Sequence, residues 1–170
     1  MDLNKERYSE INIKLFNSPL EIGLRVLVFL STIAPNSVDI QRLIYFDYLT
    51  IHSGDIENGP ESLHAATPHR TGEIIVRRNM LQEGINLMAS KGLIDIVFNS
   101  EGITYKANEI SPNFLGYFDS TYYIQLKENA KWVINKFASY SNDDLNRYIK
   151  KHLDVWGGEF YNESVIREYE

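Results

Sequence analysis

The sequence predicts a mainly α fold with one small β-hairpin: a winged-helix-like core followed by C-terminal helices. Three observations predict it. Apolar residues recur at helical spacing in successive segments up to Ser90. Two short alternating runs, Leu93–Asn99 and Gly102–Asn108, are separated only by Ser100-Glu101. Helical spacing then resumes from Ser111. The order helix, helix, helix, hairpin is that of a winged helix, with the third helix in the recognition position and 93–108 as the wing.

Composition bounds the answer. A chain of 170 residues with 44% hydrophobic content suits one domain with a helical appendage and can bury a real core. Cysteine is absent, which excludes disulfides, thiolate metal sites and cysteine nucleophiles, and fits a reducing cytoplasm. The first residues, MDLNKERYSEINIKLF, are too charged for a signal peptide, and the longest apolar run, Val26 to Leu30, is too short to span a bilayer. A net charge of −6 argues against general polyanion binding, so contact with nucleic acid would need a local basic patch. Eleven tyrosines supply rings suited to cores and interfaces.

In chain order, residues 1–17 read as an arm or short helix, and 18–108 as the winged-helix-like core. Ser18 can cap a helix with Pro19 at its first position and Glu21 completing a capping box; Ile22, Val26, Phe29, Leu30 and Ile33 share a face, and the helix ends before Pro35. Gly23 in its first turn lowers helix propensity, which points to close packing there. Ser37 is the expected cap of a second helix over Val38 to Ile51. Residues 53–70 read as a long ordered loop with two glycines and two prolines. The third helix starts near Thr71 to Glu73 and runs to Gly92, a suitable C-terminal cap. The extension, 109–156, holds a short helix opened by Ser111-Pro112 over Phe114 to Phe118, a longer one from Thr121 to Tyr140, and a last one capped by Asn142-Asp143-Asp144 and ending near Leu153. Residues 157–170 form an acidic, aromatic tail.

Candidate chemistry is sparse. His52, Asp55, His64 and His69 could suggest a metal, but no HExxH-like helical spacing exists, and the histidines read rather as hydrogen-bonding groups that order the loop. Arg70, Arg77 and Arg78 at the start of the third helix could grip phosphates, where guanidinium groups and helix dipole reinforce one another. They could instead pair with Glu73, Asp47 or Asp55. The wing carries Asp95 and Glu101 against Lys106, and the loop before the third helix is too long for a tight helix-turn-helix. Both features depart from a DNA-reading winged helix. Arg147, Lys150, Lys151 and His152 read as a solvated helix end. There is no P-loop, no serine-hydrolase motif and no carboxylate cluster with a neighbouring lysine, so the chain is read as a non-enzyme without a cofactor.

The motifs Pro19-x-Glu21-x-Gly23-x-Arg25-x-Leu27, Phe46-Asp47-Tyr48, His52-x-Gly54-Asp55, Ser62-Leu63-His64, Pro68-x-Arg70-x-Gly72-Glu73 and Val76-Arg77-Arg78 occur in this order. The chain that carries them resembles the small middle component of bacterial three-component ABC-ATPase systems, the Lamassu-type defence operons. The resemblance covers Pro19 to Asn108 and extends more weakly to Trp132. It implies a non-catalytic accessory subunit that docks on a large coiled-coil, SMC-like ABC ATPase and helps control an effector subunit, often a nuclease, acting against phage or plasmid DNA. DNA would be met through the complex. Asp55, His64, Pro68, Arg70 and Glu73 carry over as motif or partner-binding candidates, without an assigned role. A homodimer is compatible with this picture.

Two other functions use the same residues differently. A winged-helix DNA-binding regulator would bind duplexes with steep salt dependence through Arg70, Arg77 and Arg78. A metal-dependent hydrolase would use the loop histidines.

Overall fold

The computed structural model describes residues 18–65, 70–100 and 102–153. The expected N-terminal arm (1–17) and tail (157–170) lie outside the described residues, as do Pro68 and His69. The fold is mostly helical with one two-stranded antiparallel hairpin.

Helix α1 spans Pro19–Ile33. Ser18 caps it, its hydroxyl accepting from the Glu21 N–H at 3.2 Å. Glu21 is engaged one turn on, where Arg25 Nη1 donates to its carboxylate at 2.7 Å. Helix α2 spans Ile40–Ile51, later than the expected start at Val38. Asp39, not Ser37, supplies the cap, accepting from the Arg42 N–H at 2.8 Å. Val38 is drawn into an antiparallel bridge with Tyr105, an extended conformation that suits a β-branched residue. Ser37 instead accepts a bond from the Thr104 hydroxyl at 2.9 Å.

Helix α3 spans Arg70–Ser90. It closes with a Schellman motif: the Leu93 N–H reaches Met88 O, the Gly92 N–H reaches Ala89 O, and Gly92 takes φ +70°. Met88 and Leu93, the hydrophobic pair expected of that motif, are both buried. Strands β1 (Ile94–Asn99) and β2 (Gly102–Ala107) pair from Ile94↔Ala107 to Asn99↔Gly102. Helix α4 is Ser111–Leu115, opening at Ser111-Pro112 as expected and ending before Phe118; the Ser111 hydroxyl donates to Leu93 O at 2.6 Å. Helix α5 is Thr121–Lys136, capped by Ser120 and shorter than the apolar spacing to Tyr140 suggested. Helix α6 covers 142–153. Its cap is Ser141, which exchanges bonds with Asp144 in a reciprocal box: each backbone N–H donates to the other's side chain, at 3.1 and 3.0 Å.

The contacts group into two compact units, each built from two chain segments. Among the described residues, the first holds 18–43 and Arg78–Phe118; the second holds Ile44–Arg77 and 119–153. Helices α2 and α3 contribute residues to both. In the first unit, α1 lies against β2 and α4. It also meets α3 backbone to backbone: a Cβ on Gly84 would stand 2.7 Å from Gly23 N, and one on Gly23 would stand 2.8 Å from Gly84 O. That contact is the close packing inferred from Gly23. Ile22, Val26, Phe29, Leu30, Leu81, Ile85 and Tyr105 form its interior. In the second unit, Tyr48, Leu49, Ile56, Leu126, Val133, Phe137, Leu145 and Ile149 are buried. Phe137 packs edge-on against Tyr140 and Tyr148 there, with ring centroids about 5 Å apart.

Candidate partner-binding site

The loop after α2 is built by its turn residues. Ser53–Asp55 form a single 3-10 turn, closed by the Ile56 N–H on Ser53 O at 3.1 Å. Asn58 takes φ 60°, a left-handed conformation that asparagine tolerates. Gly59 follows because a Cβ there would collide with Ser53 O. The Leu63 and His64 N–H groups then share Ile51 O, at 3.0 and 3.1 Å, which brings the returning strand of the loop back to the end of α2.

One side chain on α5 locks this loop. Asn129 is fully buried; its amide donates to Ser53 Oγ at 2.9 Å and to Glu61 O at 2.8 Å, while its own oxygen accepts from Gln125 at 2.8 Å. A buried amide satisfied on both sides is a specific fixture, since each missing bond would leave a desolvated polar group. Next to it, His64 Nε2 and the Tyr122 hydroxyl lie 3.1 Å apart, with ring centroids at 6.2 Å. The outward side of the loop is acidic: Glu57 and Glu61 are exposed, and no lysine or arginine occurs between Ser53 and Ala65.

The candidate residues fall in different places. Asp55 sits in the 3-10 turn, half-buried. His64 faces Tyr122. Pro68 lies outside the described residues, as do the side chains of Arg70 and Glu73, whose backbones open α3. Arg77 is 6% exposed and pairs with Asp47, which is fully buried, while its guanidinium lies 5.8 Å above the Tyr48 ring. Arg78 belongs to the first unit; it is exposed and donates to the Gln41 side chain at 3.3 Å. The Arg77–Asp47 pair is thus the internal alternative to phosphate binding.

His52 is buried, its ring 5.0 Å from that of Tyr48. No group of three metal-ligating side chains occurs among the described residues. No helix among them is long and apolar enough to cross a membrane. Elsewhere on the second unit, burial beside Tyr140 and Glu57 pushes the Tyr148 phenol above its ordinary range.

Sequence reasoning missed Asn129, Ser53 and Tyr122. Asn129 offered no signal, since in Lys127-Glu128-Asn129 it reads as part of a solvated helix face. Only the fold brings it beneath the loop.

A family model described as ABC-three component (ABC-3C) system Middle Component 2 matches residues 15–159. No curated protein matches the chain, and no solved structure matches it.

Proposed function

Starting from the premise that the chain belongs to the ABC-three component (ABC-3C) system Middle Component 2 family, we propose that it is a non-catalytic accessory subunit of a bacterial ABC ATPase complex. In this reading the complex is of the Lamassu type. An SMC-like coiled-coil ATPase and a nuclease-type effector are its other components, and it acts in the cytoplasm against phage or plasmid DNA. The chain bridges the two and holds the effector in check. The observation that carries the proposal is the family match over residues 15–159.

The arrangement of α1, α2, α3, β1 and β2 suits a winged-helix-like core in the role of a docking module. The loop 53–65 is the proposed docking face. It is rigidly held through Asn129, and its exposed carboxylates, Glu57 and Glu61, suit an electropositive partner surface. Asp55 and His64, on the same loop, are its proposed interface residues, with Arg70 and Glu73 flanking them.

The test is affinity purification of the tagged chain from cells carrying its native operon, beside a Glu57→Lys, Glu61→Lys double variant. Recovery of a large ATPase with the native chain, reduced with the variant, is the expected result. A native chain that emerges alone in low salt overturns the accessory role. Equal recovery with the variant moves the docking face away from this loop.

A further inference from the structure

Among the described residues no strand pairs with the outer edge of β1, and that edge is self-complementary. The Asn108 N–H donates to Leu93 O, so odd-numbered residues of β1 direct their backbone groups at β2. By the same alternation Ile96 and Phe98 direct theirs outward. The parity is corroborated on β2, where Tyr105 faces outward and exchanges both backbone bonds with Val38, at 2.8 and 3.0 Å. No hydrogen bond reaches the outward groups of Ile96 and Phe98 among the described residues. Their side chains share a face with Ile103 and are 44%, 78% and 50% exposed for Ile96, Phe98 and Ile103. This edge is lightly protected: β1, Ile94–Asn99, contains no lysine and no proline, its pairing has no bulge, and its single charge is Asp95.

We infer that β1 pairs antiparallel with β1 of a second copy, about a two-fold axis through Val97, to form a four-stranded sheet. The register follows from the residues. Pairing about Val97 sets Ile96 against Phe98 of the second copy, and the two exchange both backbone bonds. Val97 meets Val97, and Asp95 meets the amide of Asn99. Ile96, Val97 and Phe98 each find an apolar partner and Asp95 a donor, while Ile94 falls opposite Ser100 at the turn. A row of Ile103, Phe98, Ile96 and Tyr105 then crosses the joined sheet on one face. Pairing about Ile96 would instead set Asp95 against Val97, and pairing about Asp95 would oppose two carboxylates. Both registers lose what the Val97 axis gains. The occupant is a second copy because this strand complements itself, whichever other component the chain docks on.

The full chain is tested by sedimentation equilibrium over a concentration series. A reversible dimer is expected. Ile96→Pro, which removes an outward N–H without touching the β1–β2 ladder, and Phe98→Asp should each raise the dissociation constant at least about tenfold. Circular dichroism and monomer mass confirm that both variants fold. The chain has no cysteine, so Val97→Cys introduces a single thiol. Non-hydrogen-bonded pairs bring Cα atoms to about 4.5 Å, within disulfide range. Under mild oxidation Val97→Cys should therefore cross-link to a dimer faster than Phe98→Cys, although position 98 is the more exposed. A chain that stays monomeric at its highest soluble concentration, with Val97→Cys no faster than Phe98→Cys, overturns the proposal. Protection of the Ile96 and Phe98 amides that requires another component would give the edge to a strand of that component and also overturn it.

Discussion

Asp47 and Arg77 are thirty residues apart in sequence and meet inside the second unit, one fully buried and the other nearly so. A buried ion pair adds little net stability, but breaking it leaves a charge without compensation. Asp47→Ala is therefore expected to destabilise the chain by about 3–5 kcal/mol, whereas replacing both partners with apolar residues of similar volume should be far milder. Urea denaturation of the two variants checks this. A single variant as mild as the double one would show that water already reaches Arg77. In the sequence Asp47 was one of three acids with which Arg77 could pair. Choosing among them needed the fold, because helical spacing says which face a residue is on and nothing about what lies opposite. Asn129 was harder still, because its partners are a hydroxyl and a backbone carbonyl on a loop without periodicity.

At the scale of elements, the crossing of α1 and α3 depends on two glycines. A methyl group on Gly84 would press on Gly23 N and Cα and on Pro19 O, all backbone with no flexible side-chain end to yield. Gly84→Ala should cost about 1–3 kcal/mol. Gly72, in the first turns of the same helix, has nothing within 4 Å of its would-be Cβ, so Gly72→Ala should stabilise by about 0.5–1 kcal/mol. Thermal unfolding of the pair separates packing from propensity, and destabilisation by both would refute the distinction. Helix α6 supplies a pH dependence. The Asp144 carboxyl lies below its ordinary value of 3.8, chiefly because the Ser141 hydroxyl and N–H bond to its charged form, with Arg147 adding to the effect. A depressed carboxylate contributes stability above the unfolded value that is lost as pH falls through the folded one. The start of α6 should therefore fray in acid below pH 3.8, and Asp144→Asn should remove that acid-dependent step. Amide exchange at 142–145 reads it. Helices and hairpin were legible because period and turn chemistry are local. Caps shifted where a tertiary partner competed, as when Tyr105 drew Val38 out of α2 and left Asp39 to cap it.

At the scale of the molecule, charge sets what the chain can approach. With a net charge of −6, Arg77 committed to Asp47 and acids lining the loop, the isolated protein should show no salt-steep duplex binding. Fluorescence anisotropy with labelled duplex at low salt measures this. Binding whose log–log salt slope corresponds to several phosphates, at about −0.9 per contact, would favour the DNA-binding alternative. The expected division of the chain, with 18–108 as core and 109–156 as extension, follows turns and composition. The contacts follow space instead and interleave segments, which no one-dimensional pattern records.

The bridge between Val38 and Tyr105 has an effect on growth. A free hairpin has two edges, and a unit with two sticky edges can add neighbours without end, as fibres do. Here the outer edge of β2 is already occupied at its middle by the chain's own Val38. If a strand joins β1, the far edge of β2 is thus already interrupted at Tyr105, and Val38 would act as the chain stopper that favours a closed pair over continued growth.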